Sequence, residues 1–288
     1  MKKTVTGMLL LGVLMTALIG CGNQSGFDTS KAINAITREE GSGTRGAFIE
    51  LFELEEKLDD GTKQDLISKE ASVESNTNTI LTTVQNDAYA IGYASMGSLN
   101  DNVKAVQIDG VDATTENVKN GSYKISRPFQ IATKGEPEGL TKDFIDFILS
   151  QEGQAVVGES YIDVNENAAP YAGDQPSGTI TVGGSSSVTP LMEKLVEQYK
   201  NINPNGSIQL QTSDSSMGMT STIEGAYDIG MASRDLKDSE KEELIETKIA
   251  LDGIAVIVNQ ENTIVSLSRE EVKNIYLAAV ETWNQVIK

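Results

Sequence analysis

Short apolar segments alternate with stretches of helical apolar spacing along the sequence from about residue 30 onward. Phe48, Leu51 and Phe52, for example, fall on one side of a predicted helix, a spacing suited to packing on a sheet. Strands and helices in alternation are typical of open α/β domains, so we expect the α/β fold class. The predicted strands are 32–36, 89–93, 105–108, 128–132, 179–182, 208–211, 228–231 and 249–258, and further helices are predicted at 80–84, at 144–149, from Pro190 and at 270–279.

The segment 171–177 interrupts this alternation. It contains Gly173 and Pro176 and no apolar run, which is typical of a connector between folded units. A second strand–loop–helix series follows it, and Pro190 suits the first turn of the helix in that series. A chain of 288 residues is long enough for two domains, so we expect two α/β units.

The beginning of the sequence predicts export. Met1, Lys2 and Lys3 form a short basic start, and an apolar stretch runs from about residue 5 to residue 18. Small residues before a cleavage point complete the pattern of a secretory signal peptide, which would cover residues 1–20. The alternative is an uncleaved membrane anchor, which would need about 20 apolar residues, more than this stretch offers.

Cys21 is the only cysteine, so this sequence can form neither an intrachain disulfide nor a cysteine-based metal site. Its position directly after Leu18-Ile19-Gly20 resembles the lipobox of bacterial lipoproteins, in which this sulfur receives a diacylglycerol. Residues 21–30 are largely polar and contain glycine, as a flexible lipidated tether would. The alternative is a secreted protein with one accidental cysteine, and the position of Cys21 at the predicted cleavage point disfavours it.

Charge and residue types limit the possible functions. Cleavage before Cys21 would remove two lysines and no acid, so the net charge would move from −19 to −21. Nucleic acid and anionic lipid surfaces bind basic proteins, so neither is an expected partner. The sequence has no histidine, which excludes a Ser-His-Asp triad, histidine acid/base chemistry and the common zinc sites. We therefore expect a binding protein and no enzyme, with no metal and no cofactor.

A glycine-rich loop, residues 37–45, joins the first predicted strand to the helix after it. Its two glycines allow close approach of the backbone to a ligand, and the amides at a helix start are unpaired. Ser42 and Thr44 add hydroxyl donors, and Arg38 can form a bidentate, charge-assisted pair with phosphate. The alternative is an ordinary strand–helix turn with a surface arginine. Residues 268–271 also contain Arg-Glu-Glu, but without the glycines, and they predict only a helix capping box. The evidence for an anion-binding loop therefore comes from the Gly-Ser-Gly-Thr sequence.

Two further loops at equivalent positions are rich in hydroxyl groups. They are residues 183–188 and residues 212–218, and nearby the strand 228–231 ends in Ser233 and Arg234. Hydroxyls and backbone amides can hold an anion, although serine is also a common helix N-cap. Ligands of open α/β sheets bind beyond the carboxyl ends of strands, where all these loops fall. Several donor-rich loops in two halves of the chain together predict an anion-binding site.

Four segments resemble the PstS family, the phosphate-binding proteins of bacterial high-affinity phosphate ABC transporters. They are residues 37–48, 184–192, 228–236 and 252–259, and the resemblance spans about residue 32 to residue 288. It implies a two-lobe fold, like that of type II periplasmic binding proteins, with a ligand cleft between the lobes. It further implies a monomeric lipoprotein on the extracellular face of the cell membrane, anchored through Cys21. Such a protein hands inorganic phosphate to the permease subunits of an ABC transporter and their ATPase.

The resemblance also implies a set of site residues. Phosphate would be bound from one lobe by Arg38, Ser42, Gly43 and Thr44, and from the other by Ser187, the Val188 amide, Ser215 and Ser233. Glu40 would pair with Arg38 and orient it, and Arg234 would support the site. Many relatives have an aspartate near the position of Ser233 that accepts the proton of hydrogen phosphate. This sequence has Ser233-Arg234 there, so it does not indicate how phosphate is distinguished from sulfate.

The order of the segments departs from that of most PstS proteins. The segment 37–48 precedes the segments 184–192 and 228–236 here but follows them in most relatives, which predicts a circularly permuted chain. One lobe would then comprise residues 30–124 and 254–288 and the other residues 125–253, with crossing strands at 122–131 and 249–259. Three alternatives are open: the same clamp for sulfate or molybdate, a secreted phosphatase with Ser42 or Ser187 as nucleophile, or an adhesion or signalling module without a small ligand.

Overall fold

The computed structural model describes residues 26–59 and 61–286. The predicted signal peptide, Cys21 and residues 22–25 of the predicted tether lie outside the described residues. The strands are β1 Asn34–Arg38, β2 Glu55–Lys57, β3 Lys63–Asp65, β4 Ser72–Glu74, β5 Ala90–Ser95, β6 Val103–Ala105, β7 Gln107–Ile108, β8 Ser126–Thr133, β9 Gly178–Ser185, β10 Gly206–Ser213, β11 Ile229–Ala232, β12 Ile245–Asn259 and β13 Ser266–Leu267. The helices are α1 Gly43–Leu51, α2 Thr77–Asn86, α3 Thr115–Lys119, α4 Gly139–Leu149, α5 Gln151–Gly158, α6 Thr189–Ile202, α7 Ser215–Ile223, α8 Asp238–Lys241 and α9 Arg269–Tyr276.

One mixed sheet runs through the molecule in the order β10-β9-β11-β8-β12-β5-β1-β4, and β6 also pairs with β12. Strands β10, β9 and β11 are parallel to one another, and so are β5, β1 and β4. Between these two parallel groups lie β8 and β12, which are antiparallel to their neighbours. The prediction of an α/β fold is confirmed, with two parallel groups joined by two antiparallel strands.

The long strand β12 connects the two parts of the sheet. Its residues 245–253 pair with β8, and its residues 254–258 pair with β5. The bulge near Ile249 shifts the register of the first pairing. The chain therefore passes between the two parts of the molecule within continuous, hydrogen-bonded strands.

Two groups of buried apolar side chains lie on either side of this crossing. We call the part around Phe48, Tyr93 and Trp283 the first lobe, and the part around Phe129, Phe144 and Leu195 the second lobe. In the first lobe the rings of Phe48 and Tyr93 stack with centroids 3.9 Å apart. Burial of an aromatic side chain of this size contributes about 1.5–3 kcal/mol. The stack therefore holds helix α1 firmly against β5.

Several strands extend beyond their apolar runs. The strand predicted at 32–36 lies at Asn34–Arg38, and Arg38 still pairs in register with Glu74 of β4. The predicted strand 105–108 divides into β6 and β7, which pair with β12 and β13. The second half of the predicted loop 212–218 is the first turn of α7. Backbone pairing needs no apolar side chain. A prediction based on apolar runs therefore misses the polar ends of strands.

The connector predicted at 171–177 contains neither helix nor strand, as expected. Pro190 lies in the first turn of α6, and Ser268 and Glu271 form the predicted capping box of α9. Across residues 26–59 and 61–286, every helix is too short or too polar to cross a lipid bilayer.

Candidate anion-binding site

Helix α1 begins at the tip of β1 and directs its N-terminus toward the second lobe. Ser42 is its N-cap, and the Ser42 hydroxyl oxygen accepts the Arg45 N–H at 3.3 Å. Regular backbone bonding starts with the Gly46 N–H, which donates to the Ser42 carbonyl oxygen at 3.1 Å. The amides of Gly43 and Thr44 precede that point and have no intrahelical acceptor. A helix start of this kind can receive an anion.

Helix α7 of the second lobe meets this helix start closely. A Cβ built on Gly43 would lie 2.4 Å from Ser215 Oγ and 2.8 Å from Ser233 Oγ. The Ser216 N–H donates to the Gly41 carbonyl oxygen at 3.2 Å, and Ser215 Oγ accepts the Ser233 N–H at 3.1 Å. Glycine at position 43 therefore leaves room for the hydroxyl groups of the second lobe.

Hydroxyl groups from both lobes also bond to one another directly. Thr44 Oγ1 lies 2.8 Å from Ser187 Oγ, which lies 3.0 Å from Thr77 Oγ1 at the start of α2. The Ser185 hydroxyl donates to Ser233 Oγ at 2.9 Å. All five side chains are buried. The site is thus a compact group of small hydroxyl side chains at the contact between the lobes.

Arg38 adds a buried guanidinium to this group. Its Nη1 donates to Thr77 Oγ1 at 3.3 Å and its Nη2 to Ser186 Oγ at 3.1 Å. Its Nε and Nη2 donate to the two carboxylate oxygens of Glu39, each at 2.8 Å. The prediction that Glu40 pairs with Arg38 is wrong, because Glu40 is exposed and Glu39 is the partner.

The turn after β1 explains why Glu39 pairs with Arg38 and Glu40 does not. The Glu39 N–H continues the strand pairing by donating to the Glu74 carbonyl oxygen at 3.1 Å. The Ser42 N–H then donates back to the Glu39 carbonyl oxygen at 3.0 Å, which closes a tight turn. Glu39 is held at the base of this turn beside Arg38, whereas Glu40 lies at its exposed tip.

A second buried guanidinium, that of Arg127 on β8, was not predicted from the sequence. Its Nη1 donates to Thr44 Oγ1 at 2.6 Å and to the Ser233 carbonyl oxygen at 2.9 Å. Its Nε and Nη2 donate to Asp252 Oδ2 at 3.3 and 3.0 Å. Burial lowers the pKa of Arg127 and raises the pKa of Asp252 to about 6, against the attraction between the two charges. The segment 122–131 carries no motif, so nothing local in the sequence marks Arg127.

The N-termini of α1, α2, α6 and α7 converge on this cluster of hydroxyl side chains. Within the described residues none of these four helices has an acidic side chain in its first turn, whereas α3, α5, α8 and α9 do. A helix N-terminus carries roughly half a positive charge. The helix dipoles and the N–H groups of two buried arginines all offer donors at this point, while Glu39 and Asp252 balance the charges of the two arginines. The arrangement suits an anion.

Most of the predicted site residues lie together. Arg38, Gly43, Thr44, Ser187, Ser215 and Ser233 belong to one continuous set of contacts, with Ser42 capping the helix beside them.

Two of the predicted site residues, Val188 and Arg234, form hydrogen bonds within the second lobe. The Val188 N–H donates to the Ser185 carbonyl oxygen at 3.0 Å, because residues 185–188 form the turn that leads into α6. Arg234 forms a bidentate pair with Glu240, at 2.7 and 2.8 Å. Its aliphatic stem packs beside Gly43, so Arg234 forms part of the wall around α1.

Thr77 and Ser186 were also missed. Thr77 follows Asn76, and Asn76 and Thr79 form a capping box that a search for helix starts could have found. Ser186 was part of the predicted loop 183–188 but was not singled out. Its Oγ accepts the Thr77 N–H at 3.2 Å, so it joins the start of α2 to the second lobe.

Comparison with known proteins gives the family. The chain matches the PBP superfamily domain at residues 23–152 and 169–288. It is 48% identical over 286 residues to phosphate-binding protein PstS 2 of Streptococcus agalactiae, which covers 99% of this chain and 96% of that one. It is 41% identical over 290 residues to the Streptococcus pneumoniae protein of the same name, which covers 99% of each. This chain belongs to the PstS family.

A solved structure supports the same assignment. The phosphate-binding protein of a phosphate ABC transporter from Streptococcus pneumoniae superposes with a TM-score of 0.71 at 42% identity, covering 89% of this chain and 100% of that one. The two-lobe binding-protein fold is therefore confirmed. The end-to-end matches mean that these streptococcal PstS proteins share the segment order of this chain. Its permutation relative to other PstS proteins stays a prediction.

Proposed function

We propose that this protein captures inorganic phosphate outside the cytoplasm and delivers it to the permease of an ABC transporter. One observation carries the proposal: four helix N-termini, the Arg38 guanidinium and buried hydroxyls from both lobes converge on one point. A tetrahedral anion bound there would replace the hydroxyl–hydroxyl contacts between the lobes and hold the lobes together. Membership of the PstS family supports phosphate as that anion.

The available hydrogen bonds are sufficient for tight binding. Micromolar capture requires about −8 kcal/mol, and a hydrogen bond to a charged group contributes roughly 1.5–3 kcal/mol net. The amides of Gly43 and Thr44, the hydroxyls of Thr44, Ser187 and Ser215, and Arg38 offer more than that before lobe closure and ligand immobilisation are subtracted. No metal ion is needed for such a site.

A polar groove beside the site offers a route for the ion. It has a volume of about 450 Å³ and lies between the start of α2 and the second lobe, where Asn76, Ser186 and Thr212 line it. Ser186 also bonds to Arg38, so the groove adjoins the buried guanidinium. We infer that phosphate enters there when the lobes separate.

The two apolar cores suggest where one lobe ends and the other begins. We propose one lobe of residues 30–124 and 254–288 and a second of residues 125–253. The apolar core around Phe48 draws on the first set and the core around Phe129 on the second, which supports this division. Ile125 and Ile162 belong to the second set but pack with the first core, so the two proposed lobes would touch just before β8 and near Ile162.

We also propose that residues 1–20 are cleaved and that Cys21 carries a lipid that anchors a monomer to the outer face of the cell membrane. The polar tether would let the lobes reach the permease. Metabolic labelling with a radioactive fatty acid tests the anchor: wild type should incorporate label, and Cys21→Ser should not. A labelled C21S variant would contradict it.

Equilibrium dialysis with radiolabelled phosphate tests the binding function directly. The protein should retain phosphate at micromolar concentration, and excess sulfate or molybdate should not displace it. Displacement by either would instead support the same clamp for another oxyanion. Hydrolysis of a chromogenic phosphate ester would support a phosphatase, and a melting temperature unchanged by saturating phosphate would support a module without a small ligand.

A further inference from the structure

Arg127 and Asp252 lie directly opposite each other on the two strands that pass between the lobes. They are register partners in the β8–β12 pair, and their side chains are 1% and 0% exposed. Asp252 also accepts the Ser95 hydroxyl at 3.0 Å. An ion pair so deeply buried does not stabilise a fold better than well-packed apolar side chains would. A role outside stability would explain its presence.

The contacts of the guanidinium indicate that role. Two of its N–H groups are held by Asp252, and Nη1 reaches Thr44 in the first lobe and the Ser233 carbonyl oxygen in the second. One side chain rooted in the crossing strands thus contacts both walls of the anion site.

The direction of the bond to Thr44 matters most. A guanidinium only donates hydrogen bonds, so Thr44 Oγ1 is the acceptor at 2.6 Å. The Thr44 hydroxyl proton must then point elsewhere, and Ser187 Oγ, at 2.8 Å in the opposite lobe, lies in that direction. A hydroxyl that accepts from a cation is also polarised into a better donor. Arg127 therefore keeps Thr44 in the donating orientation that an anion requires.

We propose that Arg127, held by Asp252, is a positioning residue that fixes the Thr44 hydroxyl as a donor to the bound anion. This inference rests on the proposed phosphate-binding function. It assigns the buried pair to binding, and it predicts that Arg127 acts through Thr44.

A double-mutant cycle measured with inorganic phosphate tests this. Removal of Arg127 alone would leave a buried carboxylate unpaired, so the principal variant is R127M/D252N. It is combined with T44V, which removes the hydroxyl, and each dissociation constant is measured by calorimetry. Q130M, another buried polar-to-methionine change on β8, is the matched control. R127K is a second variant in case R127M/D252N does not fold.

We expect R127M/D252N and T44V each to weaken phosphate binding roughly 10- to 100-fold, the range of a charge-assisted hydrogen bond. The variant that combines these changes should bind phosphate at most about threefold more weakly than T44V alone, because both changes remove the same donor. R127K should bind between wild type and R127M/D252N, since an ammonium can reach Thr44 but cannot also hold Ser233 and Asp252. Q130M should bind within about twofold of wild type.

Two results would overturn the inference while leaving the proposed function intact. One is wild-type affinity in R127M/D252N; if that variant is unfolded, the cycle is measured with R127K in its place. The other is losses that multiply when the changes are combined, which would mean that Arg127 acts independently of Thr44. A wild-type protein that retains no phosphate would overturn both.

Discussion

Replacement of Gly43 by alanine inserts a methyl group where the two lobes touch. The new Cβ would lie 2.4 Å from Ser215 Oγ, 2.8 Å from Ser233 Oγ and 3.1 Å from Arg234 Cγ. Ordinary van der Waals contact begins at 3.4 Å, so the lobes must separate by about 1 Å at this point. Both serines are fully buried and cannot turn away without losing their own bonds. G43A should therefore prevent full closure.

The size of the effect follows from hydrogen-bond geometry. A shift of about 1 Å lengthens a bond of about 2.8 Å beyond the distance at which it contributes. If two donors of the second lobe are lost, each worth roughly 1.5–3 kcal/mol, binding weakens by about 3–6 kcal/mol. We expect the phosphate dissociation constant of G43A to rise by a factor of about 100 or more.

Calorimetric titration with inorganic phosphate measures this, and the same helix supplies the control. A Cβ on Gly46 would meet only Arg234 Cδ, at 3.9 Å, so G46A should bind phosphate as wild type does. It should also raise the free energy of unfolding by up to about 1 kcal/mol, because alanine is the better helix former.

Thermal melting completes the test. Added phosphate should raise the melting temperature of G43A much less than that of wild type, because weaker binding stabilises the folded state less. A folded G43A that binds phosphate within threefold of wild type would refute the reasoning, because closure over the ligand would then not depend on the contact at Gly43.

Three further predictions concern other parts of the structure. E39Q should lower the free energy of unfolding by about 1–2 kcal/mol in urea titrations, because it weakens the pair that neutralises buried Arg38, whereas E40Q should change it by less than about 0.5 kcal/mol; equal effects would contradict the assignment of Glu39. S268A should cost about 1 kcal/mol by removing the cap of α9 and leave phosphate affinity unchanged, and calorimetry that finds weaker binding would count against it. Burial raises the pKa of Asp252 to about 6 in the folded protein from 3.8, so the native carboxyl keeps its proton to higher pH and its contribution to the free energy of unfolding falls as pH rises from about 4 to about 6. The other ionisable groups around it, Arg127, Tyr123 and Tyr161, stay protonated over this range. The difference in unfolding free energy between wild type and D252N should therefore fall over the same interval. Parallel curves of unfolding free energy against pH for the two proteins would exclude the shift.

Local patterns in the sequence determined much about this protein. Alternating apolar segments indicated the α/β class, and the Gly-Ser-Gly-Thr sequence indicated an anion-binding helix start at Gly43, where α1 begins. These conclusions depend on neighbours within one or two turns of chain, which is the range over which periodicity and capping rules hold.

The tertiary structure alone decided which distant groups meet. Arg127 bonds to Thr44, 83 positions away, and to Asp252, 125 positions away, and the Arg38 guanidinium meets Ser186 across 148 positions. Even the choice between Glu39 and Glu40 depended on the pairing of β1 with β4. Sheet order and strand register bring such groups within hydrogen-bond distance of one another, and both arise from the packing of the whole chain. No local pattern encodes them.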